Sequence, residues 1–192
     1  MLILILGLVI FIGLHLAIYW APSLREGLKT RLGVGAYRGV FSLISTLGLG
    51  LIFLGFSRAR LDPVIVYVAP TWLRHLMLAL MIPVFPLLIA TYLQGHIKYR
   101  VKHPMLAALK LWAAGHLLVN GTLADLALFG SFLAWGVMAR IAIKKRGEQP
   151  ASFVPKTSHD IIALAVGLIL YALVVAQLHL WLFGVSPLPM RS

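Results

Sequence analysis

Residues 98–130 read KYRVKHPMLAALKLWAAGHLLVNGTLADLALFG. The stretch opens basic at Lys98, Arg100 and Lys102, passes His103-Pro104, and turns apolar for about sixteen residues until Asn120-Gly121. Proline suits the first turn of a helix, where its missing N–H has no partner to lose, and Asn-Gly is a turn dipeptide. A second apolar run follows at once, so the pair reads as an antiparallel helical hairpin. Inside it sit Lys110, His116 and Asp125. Ionisable groups are costly where lipid surrounds them, and each needs a partner, a water-filled cavity or a cofactor.

The rest of the chain has the same texture. Of its 192 residues, 61% are apolar and 11% charged, against about half and about a quarter in a soluble domain. Mean hydropathy is +0.96. The apolar residues come in long runs rather than with a helical or strand period, which marks membrane spans. Six runs emerge, at about 2–20, 39–56, 72–93, 104–119, 122–141 and 160–183. The expected fold is all-α: a polytopic membrane protein, one domain over 1–192, built as a bundle of six transmembrane helices.

Details of the runs add to this. The first has no basic flank and no small-residue cleavage site, so it reads as a retained helix rather than a signal peptide. Gly48, Gly50 and Gly55 in the second offer a close-approach face. Pro83 and Pro86 should kink the third and free backbone carbonyls. The short piece VIVYVAPTWLRH at 64–75 is too brief to span beyond its helical end and should lie at the interface. The tail SPLPMRS is expected to fray.

A net charge of +12 raises nucleic acid as a partner, but the basic residues sit in short loops between apolar runs, where charge sets topology. That placement argues against nucleic acid and for the lipid bilayer. Arg25, Lys29, Arg31, Arg38, Lys98, Arg100, Lys102, Arg140, Lys144, Lys145, Arg146 and Lys156 fall in loops 1, 3 and 5, while Arg58, Arg60, Arg74 and Arg191 fall on the other side. The positive-inside rule then makes loops 1, 3 and 5 cytoplasmic and puts both termini outside, as in a multi-pass protein of the cell inner membrane.

The chemistry available is narrow. With no cysteine, disulfides, iron–sulfur clusters and thiolate-ligated haem are excluded. No HExxH, P-loop, GxGxxG or nucleophile elbow is present. Seven histidines remain, and imidazoles in a helix bundle point to haem or another metal. His75, His96, His159 and His179 lie near helix ends, where an interfacial, water-bonded side chain accounts for them. His15 and His116 lie deeper and are the better candidates for a site. Lys110 shares a helix face with His103, seven residues earlier. It either snorkels to the membrane surface or meets an anionic group such as a haem propionate. Asn120 is a turn residue or orients the ring of His116, one turn before it.

Several of these residues together resemble the NnrU family. They are the GLH of the first run, PTWxRH (Pro70, Thr71, Trp72, Arg74, His75), HPM at 103–105, and KLWAAGHLLVNGTLADLALFGSFLAW at 110–135. That family comprises small bacterial integral membrane proteins associated by name with nitrite and nitric oxide reduction, and is similar to plant 15-cis-zeta-carotene isomerase. The isomerase carries a b-type haem with histidine ligation. Its pattern has one histidine in the first conserved helix, then an HP pair followed thirteen residues later by another, which fall here on His15, His103 and His116. The resemblance implies haem b, with His15 and His116 as axial ligands to the iron and His103 supporting. Where the isomerase has a cysteine three residues before the later histidine, this chain has Ala113. Depth along the helices instead favours His103 as the partner of His15, and both pairings stay open.

The expected function is that of a haem-binding membrane protein in redox or nitrogen-oxide, denitrification-linked metabolism, with a redox partner. As an enzyme it would be a haem-dependent cis–trans isomerase of a hydrophobic polyene such as zeta-carotene. The alternatives are a non-enzymatic accessory or assembly protein for a nitrogen-oxide reductase, and a small-molecule permease. Against a permease stands the lack of an internal repeat.

Overall fold

The computed structural model describes residues 1–147 and 152–188. Glu148, Arg191 and the last four residues of the SPLPMRS tail lie outside the described residues. Among the described residues the regular structure is helical, and the one β-type contact is an isolated bridge. Five helical segments are long and apolar enough to cross a membrane: Leu2–Trp20, Val34–Ala59, Trp72–Ala90, Leu123–Lys145 and Thr157–Phe183. A sixth apolar helix, Pro104–Val119, is shorter at 16 residues. This is an all-α membrane protein. The chain forms two compact units, Met1–Tyr67 with Thr122–Glu148, and Val68–Gly121 with Gln149–Ser192.

The first unit is built from α1 (Leu2–Trp20), α2 (Pro22–Leu32), α3 (Val34–Ala59) and α8 (Leu123–Lys145). Leu4, Leu8, Ile52 and Ala124 are its buried centre, with Phe11, Phe56 and Phe132 packed around them. Contact between α1 and α3 depends on glycine. A Cβ at Gly7 would lie 2.6 Å from the Ile52 nitrogen, one at Gly48 would lie 3.0 Å from the Phe11 nitrogen, and one at Gly55 would collide with the Leu4 backbone. Small residues let helix backbones approach in lipid, where packing rather than the hydrophobic effect drives association. Gly50 is the exception among the three glycines expected on this face, because a Cβ there meets nothing within 4 Å. Gly48 and Gly55 are seven residues apart and share a face, whereas Gly50 points elsewhere around the helix.

The loop expected after the first span contains α2, an 11-residue helix. Pro22 occupies its first turn and Gly33, at φ +80°, ends it. Leu24, Leu28 and Leu32 follow one another at four-residue spacing and stay exposed, while Lys29 bonds Glu26 at 2.9 Å. An apolar stripe flanked by Arg25, Lys29 and Arg31 is the pattern of a helix that lies on a membrane surface. At the far ends of α1 and α8, Lys145 stands over the Trp20 ring at 5.6 Å and Arg146 over Tyr19 at 5.7 Å. The carboxyl ends of these two spans therefore share a level, marked by interfacial aromatics and cations.

Residues 61–67 leave the helix through a turn at Leu61 and carry Leu61, Val64 and Ile65 well exposed. They are tied to the start of α8, where Leu123 N–H donates to the Val64 carbonyl at 2.8 Å and Ile65 bridges Thr122. Asp125 finds its partner here. The Thr122 hydroxyl and N–H donate to its carboxylate at 2.6 and 3.1 Å, and Asp125 N–H returns to the hydroxyl at 3.2 Å. Thr-x-x-Asp is thus a capping box, which places the negative charge against the positive end of the helix.

The second unit holds α4 (Trp72–Met81), α5 (Val84–Ala90), α6 (His96–Val101), α7 (Pro104–Val119), α9 (Thr157–Leu173) and α10 (His179–Phe183). The run expected over 72–93 breaks at Ile82-Pro83. Ile82 N–H is diverted to the Ala79 carbonyl at 3.3 Å, which leaves the Leu78 carbonyl without its helical donor, and the Tyr171 hydroxyl of α9 supplies one at 3.0 Å. Met77, Met81, Val84, Leu87 and Ala108 form the buried centre. Gly167 of α9 rests directly on Pro86, leaving no room for a side chain. Between α9 and α10 the helix widens into a π-helical turn over Val174–Leu178.

Candidate imidazole sites in the two units

His15 is carried on α1 four residues after Phe11, whose carbonyl lies 2.7 Å from its Nδ1. A carbonyl can only accept, so the neutral ring keeps its proton on Nδ1 and its lone pair on Nε2. Three aromatic rings of the same unit surround it: Phe11 at 4.3 Å, Phe41 at 5.3 Å and Trp135 at 5.4 Å between centroids. The Trp135 Nε1 is buried and has no hydrogen-bond partner among the described residues. An indole N–H in that position costs desolvation unless something accepts from it. Alongside, α1 and α8 enclose a groove of about 420 Å³ lined by Leu8, Ile12, Leu16, Ser131, Trp135 and Met138 among others.

His116 is held in the same way on α7. Its Nδ1 lies 2.8 Å from the Trp112 carbonyl one turn back, so in the neutral ring Nε2 again carries the lone pair. The Trp112 ring packs against it at 5.3 Å. His103 is at the other end of α7, where it is the N-cap residue and its carbonyl accepts from Ala107 at 3.1 Å. Thirteen residues at ~1.5 Å each separate His103 from His116 by about 20 Å. One metal ion cannot take both, since two imidazole nitrogens on one ion are about 4 Å apart. Lys110 lies between them, half-buried, with no hydrogen bond or ion pair among the described residues. Asn120 ends α7 and donates its N–H to the His116 carbonyl at 2.9 Å, so its backbone serves the helix end.

Two histidines near helix ends are structural. The Asp160 carboxylate accepts from His96 N–H at 2.8 Å, Ile97 N–H at 2.9 Å and the His96 ring at 2.9 Å, capping α6. His159 Nδ1 accepts from Gln94 N–H at 3.0 Å. His75 is exposed at the start of α4.

His179 opens α10, just beyond the π-helical turn. Its Nδ1 lies 2.7 Å from the Val185 carbonyl, Phe183 packs on it at 5.0 Å, and its ring stands 6.5 Å from that of His116 with planes 24° apart. Helical spacing counted along an unbroken α-helix gives no hint of this, because the π turn just before His179 re-aims everything after it. Among the described residues no group of three ligating side chains gathers.

A family model described as NnrU protein matches residues 3–187. No curated protein and no solved structure matches the chain.

Proposed function

Since the chain belongs to the NnrU family, we propose that it binds haem b through its intramembrane histidines. The observation that carries this reading is the shared posture of His15 and His116. Each ring has its Nδ1 fixed on a carbonyl one turn back, so each offers Nε2 to a metal. Ligating histidines are oriented in this manner, with the second nitrogen donating to backbone or carboxylate. Imidazole suits iron, and cysteine is absent as a competitor.

The residues have separate parts in this reading. His15 and His116 are each candidate axial ligands, as the family resemblance implies. Lys110, a cation of α7 with no ion pair among the described residues, is the counter-charge for a propionate. His103, as N-cap, fixes the start of the helix that carries both. Bound haem supplies an iron centre that exchanges one electron. The chain holds and orients it, and apolar helices keep bulk water away.

Of the two uses open to such a centre, the apolar groove beside α1 favours a hydrophobic polyene substrate such as zeta-carotene, hence cis–trans isomerisation. Its walls offer an acyl or polyene chain little but Leu8, Ile12, Leu16 and Met138 to touch, with Ser131 as a polar handle. The nitrogen-oxide role carried by the family's name, as a redox or accessory protein, is the second reading. In either case loops 1, 3 and 5, with their twelve basic residues, face the cytoplasm of a cell whose inner membrane holds the chain.

The test is the visible spectrum of detergent-purified protein expressed with ample haem. A Soret band with a reduced b-type α band is expected, and its absence sinks the proposal. Feeding a tri-cis carotene to the loaded protein then separates the two uses, since only the isomerase returns a product of altered geometry.

A further inference from the structure

Helix α2 leaves an apolar stripe without cover. None of its residues is buried, and Leu24, Leu28 and Leu32 are 58%, 38% and 49% exposed. Beside the stripe lies a recess of about 410 Å³ lined by Ser23, Leu24, Gly27, Leu28 and Arg31, all of them residues of α2 itself. Gly27 keeps it open, with nothing within 4 Å of where a Cβ would stand. Among the described residues no other element supplies a wall, so the recess is half of a site.

The charge around the helix selects what completes it. Successive helical residues turn by about 100°, which puts Arg25 and Arg31 about 60° to either side of Leu28 and Lys29 about 100° from it. The one acid of the helix, Glu26, falls about 160° from Leu28, on the opposite side. Glu26 accepts from Lys29 at 2.9 Å and lies 3.6 Å from Arg25, whereas Arg31 has no ion pair among the described residues. The leucines are thus bracketed by cations, with the acid turned away. A leaflet of anionic lipid is complementary to this pattern, since it offers hydrocarbon to the stripe and phosphates along both of its flanks. The level agrees as well. Helix α2 begins at Pro22, two residues after Trp20, over whose ring Lys145 stands at 5.6 Å, and aromatic–cation pairs of this kind mark headgroup depth.

We propose that α2 is a recognition element for anionic phospholipid. Leu24, Leu28 and Leu32 enter the acyl region, Arg25 and Arg31 engage headgroup phosphates on the two flanks, and Glu26 faces water. Docking of the helix therefore depends on the charge of the lipid and not only on its hydrocarbon.

The chain has no cysteine, so Leu28→Cys and Thr30→Cys each accept a single environment-sensitive fluorophore. Thr30 is exposed and lies about 160° around the helix from Leu28. The full-length protein is placed in nanodiscs of phosphatidylcholine with or without phosphatidylglycerol, and the label is probed with a lipid-borne and a water-soluble quencher. With phosphatidylglycerol the label at position 28 should be quenched from the lipid, and far less so without it, while the label at position 30 should be quenched from water in both. Each cation near an anionic leaflet changes such an equilibrium about fivefold, so Arg25→Gln with Arg31→Gln should lower the docked-to-free ratio roughly 25-fold. High salt should weaken docking with no substitution at all, which keeps the test independent of how the variant folds. Equal lipid quenching in both kinds of disc would mean insertion by leucine alone and overturns the proposal. A label at position 28 that meets water in both also overturns it. So does one shielded from both quenchers, which would show that protein, such as a second copy of the chain, covers the stripe.

Discussion

Adding one methyl group to α3 should have opposite effects at two positions five residues apart. Gly50→Ala places its Cβ in open space, with nothing within 4 Å. Gly55→Ala places it against α1, where the Leu4 backbone is in collision and the Ile3 carbonyl carbon lies 2.8 Å away. These are main-chain atoms, so no rotamer change relieves the contact. Ordinary contact begins near 3.4 Å, and α1 must shift by at least roughly 0.6 Å. Both substitutions gain the same helix propensity, up to ~1 kcal/mol. That term cancels in the comparison and leaves the overpacking cost, about 1–3 kcal/mol. Gly50→Ala should be neutral or slightly stabilised, and Gly55→Ala less stable than Gly50→Ala by that margin. Unfolding in mixed micelles of mild detergent and dodecyl sulfate, followed by far-ultraviolet circular dichroism, reads the difference as a shift in midpoint. Equal midpoints would refute glycine-dependent contact between α1 and α3.

Two further predictions concern single hydrogen bonds. Tyr171→Phe removes the donor that the Leu78 carbonyl receives where Pro83 breaks the helix; it should cost about 1–3 kcal/mol in the same unfolding assay, and a neutral result would mean another donor replaces it. The Glu26 carboxyl is held below its ordinary value, chiefly by the hydrogen bond from Lys29. With its folded value depressed, its contribution to α2 is present above the ordinary carboxylate range and is lost as pH falls through the lower folded value. Carboxyl-carbon titration by nuclear magnetic resonance should show the depressed value in the wild type and one closer to ordinary in Lys29→Ala, where Arg25 remains beside the carboxylate.

Much of the architecture is legible in composition and punctuation. Long apolar runs mark the spans, Pro104 marks the start of α7, Asn120-Gly121 marks its end, and Pro83 marks the break between α4 and α5. What escapes sequence reading has local causes. The α2 segment is too polar to register as a span, although leucines at 24, 28 and 32 carry its signal. Asp125 looks like a charge stranded in lipid until the Thr122 three residues earlier is read as its capping partner. Gly50 differs from Gly48 and Gly55 only through its angle around the helix. His179 is hidden most deeply, because a π turn adds to the helix without leaving a mark in the residue types, and any count of helical spacing through Val174–Leu178 then misplaces it.

The brevity of α7 has a consequence for the lipid around it. Sixteen residues extend about 24 Å, some 6 Å less than a hydrocarbon layer of about 30 Å. Hydrophobic mismatch of that size is relieved by thinning the bilayer at a cost of fractions of a kcal/mol per Å. Were α7 to span the layer, such thinning would bring headgroups and water toward His116, one turn from the helix end. A reactant dissolved in the acyl chains and a proton or small polar molecule from the aqueous side can meet at that depth. Membranes with shorter chains would accommodate the protein with less deformation.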